Sequence, residues 1–391
     1  MISKRDILDR ADEWSLRADV VEKDYVLGWL LAALGSHPAT HEAWVFKGGT
    51  AIKKCFIETY RFSEDLDFTL RADAPYDEPA IRAALAGVAS LAQELSGIEF
   101  RAVDIRARQN KAGEPTYEAR LTYRGPLAIP IEPKVRFDLT RFEEIGLPPE
   151  RRAIMHAYPD SLPDDATVAC YAFEELLAEK IRALLQRTRP RDLYDVVLIL
   201  DNHVEGLDLR RVRYVLARKC AAKNIALPTA AGLMTLVRHD QELAAEWGNM
   251  LAHQLPALPE LGPLLARLEN LLTWLEPMRV LERPALRTAT FGRAEPPPLV
   301  APRGAQYWRA GTQLEAIRFA GANRMMIQFD YDGRTRLAEP YSFRRPATGN
   351  LLLYAWEVGS THIKAFNVAK IRNLQLANQS FIPQYRVEFF A

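Results

Sequence analysis

Two short runs of the sequence hold residue types whose spacing could do chemistry. Phe46-Lys47-Gly48-Gly49-Thr50 is followed, eleven residues past Thr50, by Arg61-Phe62-Ser63-Glu64-Asp65-Leu66-Asp67. A Gly-Gly pair between a strand and a helix lets the backbone turn tightly and brings bare N–H groups to a ligand. A helix N-terminus at that turn adds partial positive charge, so the place suits phosphate, and the Thr50 hydroxyl can donate to the same phosphates. Asp65 and Asp67 are two apart on the next strand and so point the same way. Two carboxylates beside a triphosphate cradle are the hard oxygen ligands that Mg2+ or Mn2+ takes together with substrate phosphates. Metals held there activate the attacking oxygen and neutralise the leaving pyrophosphate. Asp138, on the polar face of a later strand, is a candidate third carboxylate, for metal or for the nucleophile's proton. Each piece alone has a plainer reading: a simple turn, a solvated Asp-x-Asp, an aspartate paired with Lys134 or Arg136. The order strand, Gly-Gly, helix, strand, with two same-side acids among Leu66, Phe68 and Leu70, favours the site.

The elements that must position these residues follow from periodicity. Residues 5–35 read as helices stopped by Gly35 and Pro38, and Ala43 to Phe46 as a short strand. A helix is expected over 51–59, a strand over 62–70 and a helix over 78–96. Strands are expected at 98–108 and 116–124. In Glu132 to Phe142, Lys134, Arg136 and Asp138 alternate with Val135, Phe137 and Leu139. From about residue 150 the pattern turns helical. Phe173 to Gln186 is a strong amphipathic helix, Arg191 to Leu200 a second, and 208–281 continues as helices broken by prolines. Within the first of these, Lys180 has no acidic residue three or four positions away, so its charge must snorkel to water or meet a group from elsewhere. Asp192 reads as a helix N-cap, and Asp195, one turn on, as the better functional candidate. Five prolines between Glu282 and Arg303 mark a stiff linker. Short strands follow, with an Asp332-Gly333 hairpin turn.

Composition bounds the rest. The chain has 391 residues, with 51 Lys and Arg against 50 Asp and Glu, so any basic surface is local. Three separated cysteines, Cys55, Cys170 and Cys220, argue against a disulfide framework or zinc site. No stretch nears the ~20 apolar residues of a membrane span, and the start, Met1 to Asp6, lacks an apolar signal core. A cytoplasmic protein without membrane association is expected.

The motifs resemble the nucleotidyltransferase AbiEii/AbiGii toxin family, a branch of the polymerase β-like nucleotidyltransferases. The matching pieces are Glu22-Lys23-Asp24-Tyr25, Lys47-Gly48-Gly49-Thr50, Arg61 to Asp67, Lys134 to Asp138, Glu179-Lys180-Ile181-Arg182-Ala183 with Arg187, and Arg191-Asp192-Leu193-Tyr194-Asp195. Thr50 stands where the family often has serine. The resemblance implies nucleotide binding at Lys47, Gly48, Gly49, Thr50, Arg61 and Ser63, and metal at Asp65, Asp67 and Asp138. It further implies that Lys180 contacts nucleotide phosphates and that Asp192 or Asp195 positions metal, nucleotide or the lysine. The implied activity is Mg2+-dependent transfer of NMP from an NTP to an acceptor, tRNA foremost, by the toxin of a type IV toxin–antitoxin or phage-defence (abortive infection) system with a cognate antitoxin. Modification of a protein hydroxyl, or a non-catalytic nucleotide-sensing regulator, are the alternatives.

Residues 304–391 carry eleven Lys and Arg against six acids, with interleaved aromatics. Such strands can track phosphates and stack bases of single-stranded nucleic acid, although Phe329, Tyr354, Trp356 and Phe366 also suit a small core. This segment resembles the WYL domain, through Ile327 to Gly333, Arg336, Leu353 to Trp356 and Lys364 to Ile371. That implies nucleic-acid or nucleotide-effector binding at Arg336, Tyr354, Trp356, Lys364 and Lys370. The expected fold is therefore α+β: a polymerase β-like core (1–150), a helical domain completing the site (151–281), a linker (282–303) and a small SH3/Sm-like β-barrel (304–391).

Overall fold

The computed structural model describes residues 1–275, 313–344 and 350–381, apart from 59, 111–112 and 361, together with 383, 387 and 389. The linker expected at 282–303 lies outside these. Helix α1 (Lys4–Trp14) opens on a reciprocal capping box between Ser3 and Asp6. Helix α2 (Ala18–Ser36) is apolar on nearly every side and is accordingly buried. Strand β1 (Trp44–Lys47) runs straight into α3 (Gly48–Cys55). That helix starts three residues before the expected point, because Gly48, at φ +80°, makes the turn itself.

Strand β2 (Asp65–Leu70) and α4 (Glu78–Ser96) follow. Then come β3 (Glu99–Gln109), β4 (Pro115–Arg124) and β5 (Lys134–Thr140). Strands β6 (Glu150–Ala153) and β7 (Thr167–Cys170) complete a seven-stranded mixed sheet in the order β3-β4-β5-β2-β1-β7-β6. The last two lie beyond residue 150, where the texture reads as helical. At four residues each they are too short to register as a pattern.

The sheet separates its two faces by alternation. Leu66, Phe68, Leu121, Val135, Phe137 and Leu139 are essentially fully buried on the face closed by α2 and α4. The acids and arginines stand on the other. Helices α5 (Phe173–Arg187), α6 (Pro190–His203) and α7 (Leu209–Ala222) pack together after the sheet. Helices α8 (Ala230–His239), α9 (Gln241–Leu251) and α10 (Leu261–Leu271) complete this part, α9 and α10 both lying against α6.

Among the described residues the C-terminal part opens with α11 (Gln313–Ala322), an element outside the strand-only expectation. Strands β8 (Met325–Tyr331), β9 (Arg334–Arg344), β10 (Leu352–Glu357), β11 (Lys364–Asn367) and β12 (Arg372–Ser380) form an antiparallel sheet in the order β11-β10-β9-β8-β12. Asp332 and Gly333 both adopt positive φ in the β8–β9 hairpin, as the sequence signal requires. The expected closed barrel is not formed among the described residues: β11 and β12 are the two edges, and α11 packs on β8, β9 and β12. The module docks on α6 and α10 through polar contacts. Tyr194 donates to Asn323 Oδ1 at 2.7 Å, Asn202 to the Ala322 carbonyl at 2.8 Å and Arg267 to the Asn323 carbonyl at 3.2 Å.

Candidate active site

Strand register brings the chemically capable residues into one row. Lys47 on β1 is opposite Asp67 on β2, Asp67 is opposite Asp138 on β5, and Asp138 is opposite Glu118 on β4. Asp65 and Asp67 share a face, and the Gly-Gly turn lies against them. A Cβ on Gly48 would collide with Asp67 Oδ2, and one on Gly49 would stand 2.7 Å from the Arg61 guanidinium and 3.1 Å from Ser63 Oγ. Both glycines are therefore needed for close approach, and 48–50, 61–63 and 65–67 form one constellation. The start of α3 has no side-chain cap, which leaves its first N–H groups for an anion.

Thr50 differs from expectation. It is fully buried, and its hydroxyl donates to the Asp65 carbonyl at 2.5 Å, tying the turn to β2 instead of facing phosphate. Lys47 pairs with Glu143, a partner that no local signal identified. Asp138 accepts from Arg136 at 2.5 Å, and Arg136 lies 4.0 Å from Asp65. The pairing weighed as an alternative is thus present, on a strand central to the sheet.

Behind the acids stands a buried ionic ladder. Arg61 donates to both oxygens of Asp195, at 2.7 and 2.8 Å. Lys180 reaches Asp195 at 2.7 Å and Asp192 at 3.3 Å, and Arg187 donates to Asp192 at 2.7 Å. Lys180 thus meets groups from another helix. Asp192 is not an N-cap, since α6 begins at Pro190 after Arg189; its oxygens serve Lys180 and Arg187. Gln254 also takes a bond from Arg61, at 3.0 Å. Nothing near Gln254 in the sequence marks it.

The electrostatics divide these carboxylates. Burial opposes the charge of Asp195, but Arg61 and Lys180 outweigh it and hold the group well below the usual carboxylate range. Asp67 is pushed up to about 6 by burial, reinforced by Asp138 and Asp65 and only partly offset by Lys47 and Lys180. Burial also raises Asp65. Asp67 and Asp138 open onto a cleft of about 250 Å3, whose other walls include Lys47, Glu143, Arg108 and Lys223. Neither Arg108 nor Lys223 was singled out by the motifs.

The matching motif at Glu22 to Tyr25 braces this frame. Glu22 accepts from the Leu127 N–H at 2.6 Å, Lys23 pairs with Glu64 at 3.0 Å, and Asp24 pairs with buried Lys54 at 2.7 Å.

A family model described as the nucleotidyl transferase AbiEii toxin of type IV toxin–antitoxin systems matches residues 29–276, well over half of the chain. The chain belongs to this AbiEii family. It is accordingly a nucleotidyltransferase, and NTP substrate, a divalent cation in general and a cognate antitoxin belong with the family. No curated protein gives a match. Among solved structures, the nucleotidyltransferase toxin MenT4 of Mycobacterium tuberculosis is similar at a TM-score of 0.47 and 23% identity, covering 70% of this chain and 90% of its own. The proteasome accessory factor PafBC of Arthrobacter aurescens gives 0.17 and 13%, covering 94% and 74%.

The AbiEii donor set fits a hard divalent cation. Asp65 and Asp67 supply carboxylate oxygens on one face, and burial leaves their negative charge under-compensated. Among the described residues no three His, Cys, Asp or Glu side chains are already gathered as a cage, and Asp138 is turned onto Arg136. No described helix is long and apolar enough to cross a membrane. The C-terminal candidates do not join the cleft. Arg336 and Lys364 both pair with Glu357, at 2.7 and 2.5 Å, and Lys370 lies 4.0 Å from Asp332. Tyr354 and Trp356 are half-buried on β10.

Proposed function

We propose that the protein transfers a nucleoside monophosphate from an NTP to an RNA hydroxyl, tRNA foremost, as a toxin dependent on Mg2+ or Mn2+. The observation that carries this reading is the close approach of the Gly48 turn to the Asp67 carboxylate, which supports reading the turn as a phosphate cradle beside an under-neutralised acid. Asp65 and Asp67 would hold the cation, whose chemistry would be to neutralise charge on the triphosphate and to ease deprotonation of the attacking hydroxyl. The N–H groups of Gly48 and Gly49, with Ser63, orient the triphosphate. Lys180, fixed by Asp192 and Asp195, and Arg187 face the developing pyrophosphate charge.

The acceptor oxygen bonds to the α-phosphorus as the bond to the β-phosphate oxygen breaks. The hydroxyl proton passes to Asp138 once Arg136 yields it. RNA suits the neighbouring surface: Arg106 and Arg108 lie exposed on β3, and Arg120 is half-buried beside them, along the same polar face. Arg106 pairs with Asp104, and Arg108 and Arg120 with Glu118, so their support is positional: Arg108 lines the cleft at Asp67, whereas Arg336, Lys364 and Lys370 do not.

Incubation with each labelled NTP, bulk tRNA and Mg2+ or Mn2+ tests the reading. Label in RNA, lost with chelator, is expected. Label in protein supports a protein hydroxyl as acceptor, and no label in either overturns transfer.

A further inference from the structure

On the far side of the loop that carries Arg61 and Ser63 lies a cavity of about 510 Å3, twice the size of the cleft at Asp67. One wall belongs to the nucleotidyltransferase: Trp14 at the end of α1, Lys53 on α3, and Glu58, Tyr60 and Phe62 from the loop joining α3 to β2. The other belongs to the C-terminal module, with Gln313, Glu315 and Phe319 of α11 and Leu374 and Leu376 of β12. The loop divides its residues between two places. Glu58, Tyr60 and Phe62 line the cavity, while Arg61 grips Asp195 and Ser63 lies against Gly49. One short segment therefore touches both the catalytic turn and the seam between modules.

The lining has a definite chemistry. Trp14 and Phe62 are 5.3 Å apart, and the Lys53 ammonium sits 4.4 Å above the Phe62 ring while donating to the Glu58 carbonyl. Glu58 and Glu315 approach from opposite modules, and neither forms an ion pair with a described residue. Asp12 and Glu13 stand at the edge, Glu13 paired with Arg10 at 2.7 Å. Burial raises both Glu58, to about 7, and Glu315, against the opposing fields of Lys53 and Arg318. An anion entering here meets four acids and one lysine that is already engaged. A cation meets carboxyls whose burial Lys53 and Arg318 only partly offset, and aromatic faces that attract positive charge.

We propose that this cavity binds a small organic cation with a flat apolar body, an amidinium or guanidinium whose charge lies between Glu58 and Glu315 and whose body packs on Phe62 and Phe319. Occupancy then acts on the loop that holds Arg61 and Ser63. That coupling rests on the nucleotidyl transfer proposed above; the binding does not.

Calorimetric titration of the full chain with benzamidine tests the site, with benzamide and benzoate as neutral and anionic counterparts. Benzamidine is expected to saturate one site at least about tenfold more tightly than either counterpart. Glu315→Gln, at a half-buried and unpaired position, weakens binding by about tenfold, and Ala316→Trp, which fills the cavity, abolishes it. Circular dichroism and melting verify that both variants remain folded. Equal binding of the three probes, no binding of any, benzamidine affinity unchanged by Glu315→Gln, or binding that survives Ala316→Trp overturns the proposal. In parallel transfer assays benzamidine changes the KM for NTP in the wild type and not in Ala316→Trp; binding without that change overturns the coupling. Binding by a protein that shows no transfer at all leaves the site standing and removes the catalytic reading instead.

Discussion

The carboxylates of β2 and those of α6 lie around the same lysine, yet the protein treats them in opposite ways. Asp195 is wholly buried and takes three hydrogen-bonding contacts from Arg61 and Lys180, so its charge is held permanently. Asp67 is pushed up to about 6 because burial opposes its charge and no close cation answers it in full. The first is an anchor, complete within the fold. The second is a group with an unmet need, and such groups mark functional sites. The C-terminal sheet resembles the anchor: Glu357 satisfies Arg336 and Lys364 together. Charge density alone therefore does not distinguish a site from a brace.

This contrast can be broken by substitution. The largest effect is expected for Asp67→Ala, which should lower transfer by about 10^3-fold or more while the melting temperature holds or rises; undiminished transfer removes Asp67 from the metal site. Asp195→Ala strands Arg61 in the interior, leaves Lys180 with Asp192 alone and should destabilise by about 3–5 kcal/mol, measured by denaturant unfolding. A loss below 1 kcal/mol, roughly that of an exposed pair, would mean that water already reaches the ladder.

Gly48→Ala combines a left-handed backbone with a collision against Asp67. It should cost about 1–3 kcal/mol and most of the transfer activity, whereas an exposed glycine such as Gly206, with open space around it, should tolerate alanine.

Asp67→Asn sharpens the comparison through pH. A folded-state value raised from 3.8 to about 6 means that the proton is bound more tightly in the native protein. That contribution is present below the unfolded value and lost as pH rises through about 6. The variant should therefore be about 1 kcal/mol more stable than wild type at neutral pH, discounted for partial exposure, with the gain vanishing towards about pH 4. Added Mn2+ should raise the melting temperature of the wild type more than that of the variant. The smallest effect is expected for Glu357→Gln: a change of about 0.5 kcal/mol in unfolding and none in transfer.

Much of this arrangement was readable from residue order alone. The alternation in β5 sorted Arg136 and Asp138 from Phe137, and the missing helical partner of Lys180 left water or a group from elsewhere, of which the fold supplies the second. The Gly-Gly turn and the Asp-x-Asp strand were matched to the right elements because both signals are local. What could not be read is long-range. Glu143 reaches Lys47 across 96 positions and Gln254 reaches Arg61 across 193. The role of Thr50 depended on where its hydroxyl turned, which spacing leaves undecided. Helix α11 and strands β6 and β7 are short and owe their form to neighbours. The open C-terminal sheet shows the same limit, since strand count does not determine closure.

The docking of Asn323 beside Tyr194 has a practical corollary. Tyr194 precedes Asp195 directly, and Arg324 sits 3.4 Å from Asp201 further along the same helix. Removing residues 313 onward would bare the flank of α6 and strip a partner from four polar side chains at once, Tyr194, Asp201, Asn202 and Arg267. A shortened enzyme would thus begin life with a wounded scaffold, and any fall in its turnover would reflect that injury as much as the loss of whatever the missing portion recognises.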